Sequence, residues 1–374
     1  MAFENQYSFV ERLLHRLAFG TWAAQLSLAD LEDQIFKREL EHIEVSKPVF
    51  VTALPRAGTT LLLEICAGMD EFASHCYRDM PFVLLPMLWS RFTRRFRRSD
   101  SPRERAHGDG MMIGFDSPEA FEEMLWMAFW REQYRADRID PWTTDVTDPS
   151  FEDFFRSHAR KIIALRRPGA SVGRVRYVSK NNLNIARLPL LQRCFPDATI
   201  LVAVRDPLQH AVSLLRQHQN FLRIHREDRF ARRYMAGIGH FDFGENLKPV
   251  DFNHWLDSRA HSDTESLSFW LEYWVATYGF LRDQSLPNVH FVSYEGLCAN
   301  PRGALQRIAD IIEIKDREPF LANASRIKSS KSNQIAEGSI DPDLVRRSKE
   351  IYEELRTGSL QSSGGALPDE AVLP

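Results

Sequence analysis

A short apolar run passes through a glycine-containing loop into a helical pattern early in the chain. Residues 48–60 read PVFVTALPRAGTT, and the helical stretch follows at residues 61–69. Where a strand hands over to a helix, backbone N–H groups and the helix dipole can be directed at an anion. Glycine permits close backbone approach, and threonine hydroxyls add hydrogen-bond donors. The junction therefore predicts an anion site formed by the consecutive residues Arg56, Ala57, Gly58, Thr59 and Thr60.

The loop departs from the pattern of nucleoside-triphosphate hydrolases. That pattern, GxxxxGK[ST], starts with a glycine and places a lysine before the threonine, and this loop has neither. Triphosphate hydrolysis is therefore disfavoured, and Arg56 is expected to supply a fixed cation to an anionic oxygen. The alternative is a tight strand-to-helix connection that binds no ligand, because such connections are common.

Further strand-like runs alternate with helical patterns along the chain. They occupy residues 161–165, 175–179, 199–204 and 289–293. Short apolar strands that alternate with helices indicate an α/β fold with a parallel sheet covered on both faces. With 374 residues and 44% hydrophobic content, the chain has enough apolar material for one elaborated domain.

Two parts of this domain lack strand signals. Residues 70–145 predict a helical insertion, with a capped helix that begins after Pro118. Residues 225–262 are polar, rich in histidine and aromatic residues, and only weakly periodic, which favours a lid-like surface excursion.

Composition also indicates the limits of the domain. A helical segment at residues 1–46 precedes the main domain at residues 47–357. Residues 358–374 have the composition of a flexible tail.

Charge, cysteine usage and hydropathy exclude several classes of protein. The 48 basic and 51 acidic residues give a net charge of −3, so no global field recruits nucleic acid or an anionic membrane. The four cysteines form no zinc or disulfide pattern. Charged residues interrupt the apolar pattern of residues 1–26, and no run reaches the roughly 18 residues that cross a bilayer. We therefore expect a soluble protein of a reducing compartment, the cytoplasm, without a transmembrane segment.

A second motif lies at the end of another predicted strand. Residues 199–217 read TILVAVRDPLQHAVSLLRQ, a strand that ends in Arg205 before a helix that carries Ser213. The ligand crevice of an open parallel sheet lies outside the carboxyl ends of its strands, so Arg205 shares an edge with the PRAGTT loop. A strand-to-helix turn can bring Arg205 and Ser213 to one additional phosphate. The alternative is a capped helix in which Arg205 pairs with Asp206 or another carboxylate.

Together the two motifs resemble the sulfotransferase family, in particular the tyrosylprotein and carbohydrate sulfotransferases with PRSGTT loops. The resemblance covers roughly residues 48–312. It implies an α/β, P-loop-like fold and transfer of a sulfuryl group from 3′-phosphoadenosine 5′-phosphosulfate to a hydroxyl or amine, leaving 3′-phosphoadenosine 5′-phosphate. The loop would bind the 5′-phosphosulfate, and Arg205 with Ser213 the 3′-phosphate. No metal is implied.

Three further stretches extend the resemblance. SYEGLCANPRGAL is similar to the family's YExL…NP element and implies that Tyr294 lines the adenine side. RIKSSKSN resembles the late loop that closes over the nucleotide, which makes Ser330 and Lys331 candidates. Lys180, in YVSKNNLN, resembles the lysine that acts beside Arg56 on the departing phosphate oxygen and the transferring group. The alternative for Lys180 is an ordinary exposed lysine at a strand end.

The acceptor hydroxyl should lose its proton to a positioned base. The resemblance implies a carboxylate or histidine shortly after the first helix of the domain, and Asp79, in HCYRDMPF, is the first candidate. Many relatives have glutamate there, so His75 and Glu64 remain alternatives. A structural role for Asp79 as a helix N-cap is equally compatible with the sequence.

The identity of the acceptor stays open at this point. The arginine-rich residues 90–98 predict a solvated helix face or, alternatively, a site for an acidic acceptor or anionic headgroups. The aromatic residues 269–278 have the helical spacing of a buried core, with stacking on a sugar as the alternative. A large insertion and a polar lid slightly favour a carbohydrate over protein tyrosine, lipid or a small phenol.

Two competing hypotheses belong to other classes. A kinase of related fold would prefer ATP, and the missing P-loop lysine counts against it. A catalytically idle nucleotide-binding scaffold would keep the fold without the chemistry.

Overall fold

The computed structural model describes residues 9–93, 103–104, 112–113, 116–169, 173–257, 263–284, 286–328 and 340–361. Within these ranges the strands are β1 (Val49–Thr52), β2 (Phe72–Ala73), β3 (Arg103–Glu104), β4 (Met112–Ile113), β5 (Arg176–Lys180), β6 (Thr199–Val204) and β7 (Val289–Ser293). Strands β3 and β4 pair antiparallel. The other five form one parallel sheet in the order β2-β5-β1-β6-β7.

Helices precede, cover and follow the sheet. They are α1 (Phe9–Gly20), α2 (Trp22–Ile35), α3 (Lys37–Leu40), α4 (Thr59–Ala67), α5 (Pro86–Thr93), α6 (Glu123–Phe129), α7 (Pro149–Arg166), α8 (Leu188–Cys194), α9 (Pro207–Glu227), α10 (Arg229–Gly237), α11 (Leu267–Arg282), α12 (Tyr294–Ala299), α13 (Pro301–Ile311), α14 (Arg317–Ala322) and α15 (Pro342–Gln361). In the part of the chain described, no helix has the length and apolar character to span a bilayer.

Strand β1 shows why both faces of the sheet are buried. Its side chains point alternately to the two sides, so Val49 and Val51 join one apolar cluster and Phe50 joins the other. Each cluster is completed by helices on that side of the sheet. The α/β fold with a parallel sheet flanked by helices, predicted from the alternation of strands and helices, is confirmed.

One predicted strand is wrong. Residues 161–165 lie inside α7, which begins with Pro149 after the N-cap Asp148. The side chains of Phe151, Phe155 and Ile162 are buried at helical spacing. A short apolar run cannot by itself distinguish a strand from a buried helix, and here the long amphipathic helix prevails. The place in the sheet is taken by β2, which is only two residues long and left no pattern in the sequence.

The segments without strand signals differ in detail from their predicted form. Within residues 70–145, the helix predicted after Pro118 is shorter and is the seven-residue α6. Residues 225–262 lie between β6 and β7. They include the end of α9 and the whole of α10. The aromatic side chains of Phe243 and Phe252 in this segment are buried, so where it is described the excursion packs against the body of the protein. The last helix, α15, continues to Gln361.

A buried charge cluster attaches the N-terminal helices to the domain. The Lys161 Nζ on α7 lies 2.9 Å from Glu32 Oε2 and 3.0 Å from Asp33 Oδ1 on α2. Lys161 is 1% exposed and Glu32 is fully buried. The Glu32 Oε1 also accepts the backbone N–H of Leu88 at 2.7 Å. The cluster therefore holds together segments that are distant in sequence.

Removing one partner of this buried pair should destabilise the protein strongly. We expect Lys161→Met to lower the free energy of unfolding by about 3–5 kcal/mol, because the carboxylate of Glu32 is left buried without its cation. The double variant Lys161→Met with Glu32→Gln should recover part of that loss, since it removes the orphaned charge. Urea unfolding followed by circular dichroism measures both effects.

An exposed ion pair provides the control. Arg223 Nη1 and Glu227 Oε2 lie 3.3 Å apart on the surface of α9, so Arg223→Ala should change the free energy of unfolding by only about 0.5 kcal/mol. An effect of Lys161→Met as small as that of Arg223→Ala would show that the buried cluster does not hold the N-terminal helices in place.

Candidate functional site

The PRAGTT loop connects the central strand β1 to the N-terminus of α4. Gly58 is the N-cap of α4 and has φ = +85°, and no side chain caps this helix. Arg56 has φ = +73°, a conformation that residues with a side chain rarely adopt. The first turn of the helix therefore directs backbone N–H groups toward the loop, as an anion site requires.

Arg205 joins this loop to the neighbouring strand. It follows the last residue of β6, and its Nη1 donates a hydrogen bond of 2.9 Å to the carbonyl oxygen of Arg56. Its guanidinium also lies 4.7 Å from the centroid of the Tyr294 ring. The same ring packs against Gly58, where an added Cβ would lie 3.2 Å from Tyr294 Cδ2. The structure thus brings together three motifs, at Arg56, Arg205 and Tyr294, that are far apart in the sequence.

Helix α9, which begins directly after Arg205 and Asp206, also contacts the loop. Asp206 caps the helix by accepting the N–H of Gln209 at 2.9 Å. One turn later, His210 Nε2 lies 2.7 Å from the carbonyl oxygen of Pro55. A carbonyl oxygen only accepts, so Nε2 carries the hydrogen. Burial, together with the charges of Arg205 and Arg56, lowers the pKa of His210 to about 3, and the imidazole is therefore neutral.

The contact of His210 with Pro55 also indicates where Ser213 lies on α9. Residues three apart on a helix share a face, so Ser213 lies one turn beyond His210 on the side of α9 that meets the loop. Ser213 is half-buried. The role of Ser213 stays a prediction, and sequence reasoning did not single out His210, which lies three residues before it.

Lys180 lies at the same edge of the sheet. It is the last residue of β5 and stands opposite Val51 of β1. Just beyond it, Thr52 Oγ1 donates a hydrogen bond of 3.1 Å to the carbonyl oxygen of Asn182. The carboxyl ends of β1, β5 and β6 therefore bring Arg56, Lys180 and Arg205 to one edge of the sheet.

Two buried glutamates support the end of β5, and sequence reasoning missed both. Glu122 accepts hydrogen bonds from the Ser179 hydroxyl and, at 2.9 Å, from Asn184 Nδ2. Glu123 accepts one of 2.7 Å from Asn181 Nδ2 and pairs with the fully buried Arg187. The adjacent pair EE in an otherwise apolar helix was the signal that could have found them.

The surroundings of Asp79 count against its predicted role as the base. It is 2% exposed, Arg166 donates to both of its carboxylate oxygens, and the Cys76 N–H donates to Oδ2 at 3.0 Å. Burial alone would raise the pKa of Asp79, but hydrogen bonding from His75 and the charge of Arg166 hold it below its ordinary value. A carboxylate satisfied in this way is a weak proton acceptor.

The two alternatives are also engaged elsewhere. His75 is 1% exposed, and its Nε2 lies 3.2 Å from Nε2 of His158 in a stacked pair. Glu64, on α4, accepts a hydrogen bond of 2.6 Å from Arg326 Nη2. The assignment of a base to Asp79, His75 or Glu64 stays a prediction that these contacts do not favour.

Some of the remaining candidates lie outside the described residues, and the others are described. Ser330 and Lys331 lie outside the described residues, as do most residues of the arginine-rich run. The guanidinium of Arg91, which is described, lies 4.7 Å from the centroid of the Phe36 ring. The aromatic run of α11 is core, because its largest side chains, Trp270 and Trp274, are fully buried.

A sequence model described as the sulfotransferase family matches residues 48–241, slightly more than half of the chain. The chain belongs to this family. The match includes the PRAGTT loop, Lys180, Arg205 and Ser213.

Solved structures of sulfotransferases are similar at low identity. STF9 from Mycobacterium avium is 15% identical, with a TM-score of 0.47, over 87% of this chain and 80% of that one. STF1 from Mycobacterium tuberculosis is 14% identical, with a TM-score of 0.44, over 87% and 81%. Mouse sulfotransferase SULT7A1, complexed with PAP, is 15% identical, with a TM-score of 0.32, over 88% and 90%. No curated protein matches the sequence.

Beyond the loop, two histidines of α9 hold the segment that follows α10. His218 Nδ1 accepts the N–H of Gly244 at 3.1 Å, and His225 Nδ1 accepts the N–H of Glu245 at 3.1 Å. Gly244 has φ = +69°, and an added Cβ would lie 2.6 Å from His225 Nδ1. Only an unprotonated Nδ1 can accept, so both contacts require neutral imidazoles.

These contacts predict a loss of stability in acid. Burial lowers the pKa of His225 to about 4, with the charge of His240 acting in the same direction. Histidine in an unfolded chain titrates near about 6.5, so below that pH the unfolded state binds more protons. The contribution of His225 to the free energy of unfolding is therefore complete above about pH 7 and is lost as the pH falls from 6.5 towards 4. Urea unfolding between pH 4.5 and 8 measures it.

A matched substitution separates this histidine from carboxylates that titrate in the same range. His225→Asn places Oδ1 near the position of Nδ1 and does not titrate, so it should reduce the loss of stability between pH 7 and pH 5. His225→Ala leaves the N–H of Glu245 without its acceptor and should cost about 1–3 kcal/mol at pH 7. The exposed His42→Asn should keep the wild-type pH dependence. Identical pH dependence of His225→Asn and wild type would contradict the prediction.

Proposed function

We propose that this sulfotransferase uses 3′-phosphoadenosine 5′-phosphosulfate as the donor and transfers its sulfuryl group to a hydroxyl or amine of an acceptor. The observation that carries the proposal is the contact of Arg205 with both the Arg56 carbonyl and the Tyr294 ring. This contact fixes a second cation beside the PRAGTT loop, as a nucleotide with two separate phosphate groups would require.

The assignment of residues follows from the arrangement of the crevice. The N–H groups of the loop from Ala57 to Thr60 would bind the 5′-phosphosulfate, with Arg56 as the nearest cation. Arg205 and Ser213 would bind the 3′-phosphate, and Tyr294 would contact the nucleoside beside them. Lys180, across the crevice on β5, would stabilise the oxygen that departs from sulfur.

The reaction itself needs alignment and cations. The acceptor oxygen or nitrogen attacks sulfur in line, a new bond to sulfur forms, and the bond between sulfur and the bridging phosphate oxygen breaks. The electron pair leaves with 3′-phosphoadenosine 5′-phosphate, and the acceptor proton passes to a base. The loop backbone, Arg56 and Lys180 would stabilise the charge that develops in this step.

Carbohydrates are the acceptor class that we propose to test first. The segments between β2 and β5 and between β6 and β7 follow strands of the parallel sheet, and polar side chains from them would suit a hydroxylated sugar. We further propose the cytoplasm as the location, with which four cysteines outside any disulfide are compatible.

Calorimetric titration with 3′-phosphoadenosine 5′-phosphate and with AMP tests the donor. Wild type should prefer the former by about 10- to 100-fold, since a charge-assisted hydrogen bond contributes about 1.5–3 kcal/mol. Arg205→Ala and Ser213→Ala should each reduce this preference, and Ser213→Ala does so without removing the contact to the Arg56 carbonyl.

An arginine on the same helix is the control. Arg223 is exposed on α9, ten residues beyond Ser213, and Arg223→Ala should leave the preference unchanged. Equal binding of both nucleotides to wild type would refute the assignment of Arg205 and Ser213 to a 3′-phosphate, and tighter binding of ATP would favour a kinase.

A further inference from the structure

The residues that follow β6 and β7 contact one another in two pairs. The two strands are paired in parallel up to their last residues. Beyond them, the Arg205 guanidinium lies 4.7 Å from the centroid of the Tyr294 ring. The next residue along each chain segment makes the second pair, in which the Asp206 N–H donates a hydrogen bond of 3.0 Å to Glu295 Oε1. The carboxylate of Glu295 therefore holds the backbone directly beside Arg205, and its own backbone adjoins Tyr294.

The other carboxylate oxygen of Glu295 is bound by the C-terminal helix. The Tyr352 hydroxyl on α15 donates a hydrogen bond of 2.6 Å to Glu295 Oε2. Burial raises the pKa of Tyr352, and its hydrogen bond to Glu295 raises it further, so the phenol keeps its hydrogen and is the donor. Tyr352 is 7% exposed and Glu295 is half-buried. Both oxygens of the carboxylate thus have a donor, and its orientation is fixed from two sides.

Helix α15 provides a firm support for this contact. Ile351 and Leu355, which flank Tyr352 on α15, are buried in the same apolar cluster as Trp274 of α11. A Cβ added to Gly279 of α11 would lie 3.5 Å from Ile351 Cδ1, the distance of ordinary van der Waals contact. The Tyr352 hydroxyl therefore projects from a helix that is packed into the core of the domain.

The contacts of Asp206 and Arg205 extend this support to the phosphate loop. The Asp206 side chain caps α9 by accepting the N–H of Gln209 at 2.9 Å, while its backbone N–H is held by Glu295. Arg205 Nη1 donates its hydrogen bond of 2.9 Å to the carbonyl oxygen of Arg56. A continuous series of contacts thus runs from α15 through Glu295 to the PRAGTT loop.

We propose that Glu295, held by the Tyr352 hydroxyl, is a positioning residue that fixes Arg205 for binding of the 3′-phosphate. The inference rests on the proposed function, in which Arg205 binds that phosphate. Glu295 does not bind the phosphate itself, because like charges repel, and it acts through the residues beside it. A guanidinium that is held in place before the ligand arrives loses less conformational freedom on binding. Selectivity for the 3′-phosphate therefore depends on α15, although this helix carries no phosphate-binding motif.

Calorimetric titration with 3′-phosphoadenosine 5′-phosphate and with AMP tests the proposal as a ratio of affinities, which does not depend on the fraction of folded protein. Glu295→Ala leaves the Asp206 N–H without its acceptor and should lower the preference for the former by about 5- to 10-fold. Tyr352→Phe removes a single hydroxyl and should lower it by about 2- to 5-fold. Glu295→Gln keeps an oxygen for the Asp206 N–H and should stay within about 2-fold of wild type.

Matched variants separate positioning from a general loss of stability. The hydroxyl of the buried Tyr273 accepts the N–H of Val250 at 3.1 Å, so Tyr273→Phe also removes a buried hydroxyl contact. It should leave the nucleotide preference unchanged, as should Glu350→Ala at an exposed carboxylate of α15. A loss of preference in Tyr273→Phe equal to that in Tyr352→Phe would overturn the positioning role.

Double variants test whether the residues act through one another. Adding Tyr352→Phe to Glu295→Ala should lower the preference no further, because the hydroxyl acts through the carboxylate. Adding Glu295→Ala to Arg205→Ala should likewise have no further effect, because the carboxylate acts through the guanidinium. Additive losses in either pair would show independent action and contradict the proposal.

The wild-type protein distinguishes failure of this inference from failure of the proposed function. A wild-type preference that persists unchanged in Glu295→Ala and Tyr352→Phe refutes the positioning role alone. Equal binding of both nucleotides to wild type refutes the proposed function itself.

Discussion

The contact between Arg205 and the carbonyl oxygen of Arg56 is the interaction on which the arrangement of the candidate site depends. It ties the end of β6 to a loop whose backbone at Arg56 is in an unfavourable conformation, and it sets the guanidinium against Tyr294. A guanidinium is planar and keeps its charge, so one side chain can hold a loop, stack on a ring and still present N–H donors to an anion. The Arg205 guanidinium therefore connects the ends of β1 and β6 with the first residue of α12.

The fold was predicted correctly wherever a strand or loop could be recognised from its own residues. The run at β1 and the loop after it have the composition of a strand and an anion-binding turn, and the order of elements then requires a parallel sheet. The failure at residues 161–165 has the opposite cause, because Ile162 and Ile163 belong to a helical face that begins eleven residues earlier. Strand β2 was not predictable, since two residues carry no periodicity and pairing with β5 alone defines them.

The residues of the candidate site likewise fall into those that a local sequence pattern predicts and those that only a tertiary contact defines. Arg56, Arg205 and Ser213 stand at fixed offsets from strand ends, so a pattern of residues suffices to propose them. His210 has no such motif, because it is defined by its contact with the carbonyl oxygen of Pro55. The base was sought close in sequence to the first helix, yet Asp79 is there neutralised by an arginine from α7, which no local pattern reveals.

Helix α9 connects the PRAGTT loop with the segment that follows α10. Three of its histidines contact backbone atoms at successive positions: His210 at Pro55 of the phosphate loop, His218 at Gly244 and His225 at Glu245. Burial lowers the pKa of all three, so they make these contacts as neutral imidazoles and add no positive charge. Because one continuous helix makes all three contacts, the position of the PRAGTT loop and that of the segment after α10 are set by the same element.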